Sequence, residues 1–231
     1  MQNQTILITG GSGGLGQAVV KLALDRGANL ILPVTSKRSR NQVEASLNGN
    51  DRQRVQFYQT NLMDESEVID LVKQIERIDG LVHLVGGFSM GETVGYPQEK
   101  WQQDFQLNTT TTFLIVKHVL KHMQQNGYGR IVTTGSGAAT DPVGGLPGYS
   151  ASKAAVVSFT QSVAKETKGS DITANVVLPS IIDTPANRKA MGDQVAHKWV
   201  KPESLAEVIL FLASDAARDI RGAAIPVLGN V

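Results

Sequence analysis

The most informative absence in this chain of 231 residues is that of cysteine. Without cysteine, the protein has no disulfide framework, no thiolate nucleophile, and no zinc or iron–sulfur site built from thiolate ligands. Stability must then come from a hydrophobic core, and a chain of this length is long enough to bury most of its apolar surface.

An excess of charge of either sign is also absent, because 22 lysines and arginines face 21 aspartates and glutamates, for a net charge of +1. A nucleic acid or an anionic membrane surface requires a basic face, so we expect neither as a partner. The hydrophobic fraction of 41% and the charged fraction of 19% are typical of a globular protein rather than a disordered one.

Long hydrophobic runs and targeting segments are missing as well. The opening residues, MQNQTILITG, carry no charged leader and only a short apolar run, so we expect no signal peptide. The apolar stretch LAEVILFLAS is interrupted by Glu207 and is too short to span a bilayer. No repeat or low-complexity linker divides the chain, which favours a single cytoplasmic domain over residues 1–231.

Short apolar runs alternate with segments of helical periodicity along the whole chain. Nearly continuous apolar runs are typical of strands covered on both faces, and strand–helix alternation predicts an α/β fold with right-handed crossovers on a parallel sheet. Pro33 weakens the prediction for the second strand, because proline cannot donate a ladder hydrogen bond. The predicted strands cover Thr5–Thr9, Asn29–Val34, Val55–Thr60, Leu81–Val85, Arg130–Thr134, Ile172–Leu178 and Ala224–Leu228, and the predicted helices cover about 14–26, 64–77, 98–125, 149–167 and 203–214.

A glycine-rich turn, TGGSGGLG over residues 9–16, follows the first predicted strand directly. Glycines allow a tight turn and a close approach to a diphosphate, and the helix that follows offers free N–H groups and the positive end of its dipole. A flexible loop is the alternative, but the strand before and the helix after favour dinucleotide binding. The residues expected at the phosphates are Gly10, Ser12, Gly13, Gly14, Leu15 and Gly16.

The end of the second predicted strand indicates which dinucleotide binds. An acidic residue at this place would bond the 2′-hydroxyl of NAD, but no carboxylate occurs before Glu44. Lys37 and Arg38 would instead attract a 2′-phosphate, with Ser36 as a hydrogen-bond donor. The sequence therefore favours NADP(H) over NAD(H), with a solvated basic loop as the alternative interpretation.

A candidate proton-transfer pair lies at the start of the helix predicted over 149–167. Tyr149 and Lys153 are four residues apart, so both side chains can point into one cleft. A free phenol has a pKa of about 10, and a neighbouring cation would lower that pKa. Ser136 follows a predicted strand, at the sheet edge where open α/β folds bind ligands. A chance pair on a surface helix is the alternative, but the other motifs favour a catalytic pair.

Together these motifs resemble the short-chain dehydrogenase/reductase family over essentially the whole chain. The matching parts, in order, are the TGxxxGxG turn, Asn108 in FQLN, Ser136, and Tyr149 with Lys153. The resemblance implies a Rossmann-like doubly wound fold, a three-layer sandwich with seven parallel strands in the order 3-2-1-4-5-6-7. It also implies an oxidoreductase that acts on a small-molecule carbonyl or alcohol, and a homodimer or homotetramer built on the helices of Asn108 and Tyr149.

The resemblance also implies residue roles. Tyr149 would be the general acid/base, and Ser136 would polarise or position the substrate oxygen. Lys153 would bond the nicotinamide ribose and lower the pKa of the tyrosine, while Asn108 would hold a water that relays protons to Lys153. Further cofactor contacts are implied at Asn61, Leu62, Gly86, Pro179, Ile182 and Thr184, with Ile182 acting through its backbone.

Several positions depart from the family pattern. The family's NNAG segment is HLVG here, from His83 to Gly86, and Asn61 replaces the aspartate that commonly contacts adenine. Ser180 replaces a glycine near the nicotinamide, which leaves the shape of that loop open. The glycine turn itself carries no basic residue, so the preference for NADP(H) depends on Lys37 and Arg38.

Two alternative functions remain open from the sequence. The segment 183–191, together with His197–Trp199 and Gly86–Phe88, is similar to dihydropteridine reductases, which would make the substrate a quinonoid pterin. A non-catalytic NADP(H)-binding sensor or assembly protein is the other alternative, although a sensor has no need of a proton relay.

We predict no metal site, because His118 and His122 lack an evident third ligand. Candidates for the substrate wall are Phe88, Met90, Trp101, Met191 and Trp199, each of which could equally be core.

Overall fold

A computed structural model describes residues 1–230, which form a sheet of seven parallel strands with helices on both faces. The strands are β1 (Thr5–Thr9), β2 (Asn29–Val34), β3 (Val55–Gln59), β4 (Gly80–His83), β5 (Tyr128–Thr134), β6 (Asp171–Pro179) and β7 (Ala224–Val227). The α-helices are α1 (Gly14–Asp25), α2 (Lys37–Glu44), α3 (Gly49–Arg52), α4 (Glu65–Lys73), α5 (Gln98–Phe105), α6 (Thr111–Asn126), α7 (Pro147–Glu166), α8 (Pro185–Met191) and α9 (Pro202–Leu212).

The strand order is β3-β2-β1-β4-β5-β6-β7, which confirms the predicted fold and order. The chain reverses its direction of winding between β1 and β4, which pair in register from Ile6 with Gly80 to Thr9 with His83. Such a switch point opens a crevice at the carboxyl ends of the strands, where ligands bind in open α/β sheets. Most of the predicted functional residues follow the carboxyl ends of the strands β1 to β6, whereas Asn108, Tyr149 and Lys153 lie on helical segments after β4 and β5.

Alternating strand residues pack into two cores on opposite faces of the sheet. In β1, Ile6 and Ile8 face a core closed by α1 and α9, whereas Leu7 faces a core closed by α4, α6 and α7. All three side chains are fully buried, as expected for a strand covered on both faces. The two cores hold the sheet rigid, so the loops at its carboxyl edge have a fixed base.

Pro33 disturbs the sheet less than the sequence suggested. The N–H of Leu30 donates to β3 at Arg54, while the N–H of Asn29 donates towards β1 at Gln4. Backbone groups alternate between neighbours, so the missing N–H of Pro33 would face β1. The pairing of β1 with β2 ends at Ile31, where the next donor would be residue 33, while the pairing of β2 with β3 continues to Val34.

The single helix predicted over 98–125 is instead two α-helices joined by a π-helical turn, Gln106–Thr110. The hydroxyls of Thr111 and Thr112 donate to the carbonyls of Leu107 and Asn108, at 2.6 Å each, and so satisfy groups that the wider turn leaves free. π-Helical turns inside α-helices are frequent at functional sites, and this one contains the fully buried Asn108.

Among residues 1–230, the model has no helix whose length and apolarity would let it cross a membrane.

Candidate active site

The glycine turn forms a tight cradle between β1 and α1. Gly10 has a φ of 70°, in the left-handed region that favours glycine. A Cβ added to Gly16 would lie 2.1 Å from the carbonyl oxygen of Gly10, so the turn closes only without a side chain there. Helix α1 has no acidic residue in its first turn, and none of residues 1–230 caps its start with a side chain. The N–H groups of the first turn are therefore free for an anion, which fits the diphosphate of a dinucleotide.

The segment that follows β6 packs directly on this cradle. A Cβ added to Gly14 would lie 2.7 Å from Cγ2 of Thr184. The Thr184 hydroxyl accepts a hydrogen bond from the N–H of Asn187 and caps α8. The carbonyl of Ile182 accepts from the side chain of Asn187, and Ile182 pairs with Val200 in an isolated bridge. The structure thus brings Thr184 to the glycine turn, as a shared cofactor site requires.

The predicted 2′-phosphate site lies at the start of α2, just beyond β2. The Ser36 hydroxyl caps this helix by accepting from the N–H of Ser39 at 3.2 Å. Arg40 forms an ion pair with Glu44 at 2.7 Å, and its guanidinium lies over the ring of Phe57. The side chains of Lys37 and Arg38 are exposed and have no ion-pair partner within residues 1–230. These two cations are therefore available to a phosphate.

The two residues predicted beside adenine differ in what they can offer a ligand. The Asn61 side chain is exposed, and its oxygen accepts from the N–H of Met63 at 3.1 Å. The backbone N–H of Asn61 donates to Glu67 at 2.7 Å. Leu62 is buried in the core beneath, so only its backbone can face a cofactor.

Tyr149, Ser136 and Lys153 meet at the carboxyl end of β5. The Ser136 hydroxyl lies against the Tyr149 phenol and also accepts from the N–H of Ala138 at 3.2 Å. The Lys153 ammonium donates to the carbonyl of Thr134 at 2.9 Å, and the residue is only 4% exposed. Helix α7 thus carries Tyr149 and Lys153 to one end of one strand.

The pKa values of this pair differ from the expectation drawn from the sequence. Burial raises the pKa of Tyr149 above its usual 10, and the contact with Ser136 opposes that rise. Burial also lowers the pKa of Lys153 to about 8. A low-dielectric site disfavours both charged forms, so the free protein holds the phenol protonated instead of lowering its pKa through Lys153.

Asn108 joins the loop after β4 to α7. Its side-chain oxygen accepts from the N–H of Gly87 at 3.0 Å, while its amide nitrogen donates to the carbonyl of Gly87 and to the hydroxyl of Ser152. A Cβ added to Gly86 would lie 2.7 Å from this oxygen and 2.9 Å from Nζ of Lys153. Asn108 therefore holds Gly86 and Gly87 against Lys153, and the water predicted between Asn108 and Lys153 stays a prediction.

His83, which stands where the family has asparagine, connects three elements. Its Nδ1 lies 2.9 Å from the hydroxyl of Thr9 on β1, and its Nε2 lies 3.4 Å from the hydroxyl of Thr111 on α6. The ring is fully buried, and burial, aided by the charge of Lys153, lowers its pKa to about 3. The histidine is thus neutral at physiological pH and replaces the family's asparagine as an internal hydrogen-bonding group.

This buried histidine makes stability depend on pH. Its pKa in the folded state lies below the value of about 6.5 expected in the unfolded chain, so the unfolded state takes up a proton first as the pH falls. His83 therefore stabilises the fold fully above about pH 6.5, and we expect a loss of about 2 kcal/mol from this group by pH 5. Urea unfolding of wild type and His83→Asn at both pH values measures the loss, which should shrink in the variant.

His197→Gln serves as the control for the histidine prediction, because the side chain of His197 is exposed and has no ion-pair partner within residues 1–230. This variant should keep the wild-type dependence on pH. An identical dependence in wild type and His83→Asn would contradict the assignment of the effect to His83.

The candidates for the substrate wall divide between the site and the core. Phe88 is 50% exposed, and its ring lies edge-on to that of Tyr149 with centroids 6.0 Å apart. Met90 and Met191 are exposed. Trp199 is buried and belongs to the core, and Trp101 packs against Phe105 on α5. Phe88 is therefore the candidate that the structure places beside the phenol.

Sequence reasoning missed a buried polar group next to this site. Asp104 is only 3% exposed, and its carboxylate accepts from Ser89 at 2.9 Å and from the Tyr96 phenol at 2.5 Å. Ser152, also missed, accepts from Asn108 and donates to the carbonyl of Tyr149. The sequence offered one signal for Asp104. It precedes Asn108 by one helical turn, which places both residues on the same buried face.

Comparisons with known proteins agree with this geometry. The model of the short chain dehydrogenase family matches residues 4–194. The chain is 28% identical to a 3-oxoacyl-[acyl-carrier-protein] reductase of Escherichia coli, over 100% of this chain and 98% of the relative. It is 31% identical to a 7alpha-hydroxysteroid dehydrogenase of Bacteroides fragilis, over 100% and 95% of the two chains.

A solved structure extends the similarity to three dimensions. An oxidoreductase of the short-chain dehydrogenase/reductase family from Burkholderia thailandensis superposes with a TM-score of 0.89 at 32% identity, covering 99% of this chain and 92% of that one. The motifs, the sheet order and these relatives agree along the whole length. The chain belongs to the short-chain dehydrogenase/reductase family, and it is an oxidoreductase that acts on CH–OH or C=O groups with a nicotinamide cofactor.

Proposed function

We propose that this protein is an NADP(H)-dependent reductase of a small ketone, or a dehydrogenase of the matching secondary alcohol, with Tyr149 as its general acid/base. The observation that carries the proposal is the meeting of Tyr149, Ser136 and Lys153 at the sheet edge that also holds the glycine turn. Loops and helices attached to one sheet supply every group, so we also propose that residues 1–231 are one domain that includes the substrate site.

The chain's own residues supply the proton and the orientation. The nicotinamide, when bound, supplies or accepts the hydride. Tyr149 holds the proton at its phenolic oxygen and donates it to the oxygen of the carbonyl substrate, while Ser136 donates a hydrogen bond to that same oxygen. Lys153 is held beside Gly86 and the end of β5, where it can bond the cofactor's ribose and accept a proton through solvent.

The protonation states favour reduction at neutral pH. Burial keeps the phenol of Tyr149 in its proton-donating form, because its pKa lies above the usual value. Alcohol oxidation requires the phenolate, so its rate should rise as the pH increases. Lys153 has a pKa of about 8 in the protein without cofactor, so it is protonated in most molecules at neutral pH. It can then supply the proton that returns Tyr149 to its protonated form.

The choice of cofactor is testable at Lys37 and Arg38. Lys37→Ala/Arg38→Ala removes two cations that have no ion-pair partner within residues 1–230, and hydrogen bonds to charged groups contribute about 1.5–3 kcal/mol each. We expect Kd for NADPH to rise about tenfold or more while Kd for NADH is unchanged, as measured by fluorescence titration. Lys121→Ala/Lys168→Ala changes the net charge equally at exposed positions away from α2 and should leave both values unchanged. Equal losses for both cofactors in the first variant would contradict a 2′-phosphate site.

The proposed substrate class is supported by the names of two relatives and by the exposed apolar side chains among the substrate-wall candidates. The names of the two relatives refer to an oxo group on an acyl chain and to a hydroxyl group on a steroid. Phe88, Met90 and Met191 present exposed apolar side chains, and Phe88 lies beside the phenol. Both facts support an apolar ketone or secondary alcohol. A quinonoid pterin as the substrate stays a prediction. The assembly into a homodimer or homotetramer and the cytoplasmic localisation also stay predictions.

A single screen tests the proposal. NADPH oxidation is followed spectrophotometrically with apolar ketones, quinones and a quinonoid dihydropterin, and NADH is run in parallel. Turnover of ketones with a preference for NADPH supports the proposal. Turnover confined to the dihydropterin would favour the pterin reductase instead, and NADPH binding without turnover of any compound would overturn the catalytic proposal.

A further inference from the structure

A buried carboxylate outside the predicted proton relay lies against the first turn of α7, which carries Tyr149. Asp104 is at the end of α5 and has no ion-pair partner within residues 1–230. A Cβ added to Gly148, the residue before Tyr149, would lie 2.4 Å from its Oδ2. Asp104 therefore packs against the first turn of α7, which leaves no room for a side chain at position 148.

The surroundings of Asp104 compensate a negative charge without a cation. Ser89 and Tyr96 each donate a hydroxyl hydrogen bond to the carboxylate, and charge-assisted bonds of this kind are short and strong. Helix α7 begins at Pro147 without a side-chain cap from residues 1–230, and Asp104 packs against its first turn, where the helix dipole is positive.

Both donors belong to the loop that joins β4 to α5 and forms the substrate wall. Ser89 is adjacent to Phe88, whose ring lies 6.0 Å from that of Tyr149. Tyr96 lies at the other end of the loop, and the N–H of Gly91 between them donates to Gly145 at 2.9 Å. One carboxylate thus fixes both ends of the segment that covers the phenol.

We propose that Asp104 is a positioning residue that tethers the loop of residues 86–97 over Tyr149 and places a buried negative charge against the first turn of α7, which carries Tyr149. The inference rests on the proposed function of Tyr149. A negative charge disfavours ionisation of a nearby phenol, and Asp104 contributes to the raised pKa of Tyr149. The Ser136 hydroxyl also contacts the Tyr149 phenol, while Lys153, one turn further along α7, donates to the carbonyl of Thr134 and has His83 of β4 nearby. Asp104 would therefore favour the proton-donating state and hence reduction.

Two variants separate the charge from the tether. Asp104→Asn removes the charge but keeps an oxygen that can accept a hydrogen bond, whereas Tyr96→Phe keeps the charge and removes one tether. Glu99→Gln is the matched control, since it removes a carboxylate from an exposed position on the same helix. The Tyr149 ionisation is read without substrate, from near-ultraviolet tyrosinate absorbance after subtraction of the same variant carrying Tyr149→Phe.

We expect Asp104→Asn to lower the midpoint of Tyr149 ionisation, because the substitution removes a neighbouring negative charge. The pH at which the rate of alcohol oxidation rises should fall by the same amount. Tyr96→Phe should leave the midpoint unchanged, raise KM more than it lowers kcat, and speed hydrogen exchange in residues 86–97. Glu99→Gln should change none of these quantities.

A midpoint in Asp104→Asn equal to that in Glu99→Gln would overturn the charge effect. Unchanged exchange of the loop in Tyr96→Phe would overturn the tether, and this variant still decides if Asp104→Asn does not fold. A wild-type protein that turns over no substrate would refute the proposed function. It would leave the test of Asp104 intact, since absorbance and hydrogen exchange are measured without turnover.

Discussion

Tyr149→Phe is expected to lower kcat by about 10²–10⁴-fold, the usual contribution of general acid–base catalysis. The variant keeps the ring, its burial and its edge-on contact with Phe88, and loses only the hydroxyl next to Ser136. Steady-state turnover of whichever ketone the wild type reduces measures the loss. Kd for NADPH should stay nearly the same, because the cradle at Gly10–Gly16 is untouched.

Tyr58→Phe provides the matched control, since the Tyr58 hydroxyl donates only to Gln56 at the surface, on the strand β3. This variant should retain wild-type kcat. Turnover of Tyr149→Phe within a factor of two or three of wild type would remove Tyr149 from the chemistry, even if the fold and cofactor binding were intact.

Gly16→Ala is expected to open the glycine turn. The added Cβ would lie 2.1 Å from the carbonyl oxygen of Gly10 and 2.7 Å from Cα of Gly11, and neither backbone atom can move without displacing β1 or α1. Overpacking of this kind costs about 1–3 kcal/mol. We expect a lower free energy of unfolding and a cofactor affinity reduced by about tenfold to a hundredfold, because each ~1.4 kcal/mol of distortion in the bound state costs a factor of ten.

Gly13→Ala tests whether the effect is specific to position 16. A Cβ on Gly13 would meet only the Gly10 carbonyl at 3.4 Å, an ordinary contact, and Gly13 has a φ of −71° that any residue adopts. Urea unfolding should give nearly wild-type stability for this variant. Equal stability of the two variants would show that the turn tolerates a side chain at position 16.

The fold could be predicted almost completely from the sequence because its signals are local. Seven apolar runs predicted seven strands, and the strand order implied by the family resemblance is the one observed. The errors are the three short helices α2, α3 and α8, which were not predicted, and shifts at the ends of other elements. Strand β4 stops at His83, before the predicted Val85, because the N–H of Leu84 donates to the hydroxyl of Thr9 instead of continuing the ladder. The π-helical turn was missed because its apolar spacing resembles that of an ordinary α-helix.

The candidate site was less predictable, because its energetics depend on burial. Tyr149, Ser136 and Lys153 were found by spacing and resemblance, but the rise in the pKa of Tyr149 follows from packing that no motif encodes. Asp104 was missed for a related reason. A single aspartate in the polar segment QEKWQQDF is typical of a solvated helix face, and only the tertiary structure shows it buried against Gly148 and Tyr96.

The confinement of Gly86 between Asn108 and Lys153 has a consequence for protein engineering. Any side chain at position 86 would displace the buried ammonium, so this position should be left out of a mutagenesis library. Met90 and Met191 are exposed, so substitutions there should disturb the packing least. Position 86 and these two positions thus mark the opposite limits of what the candidate site can accommodate.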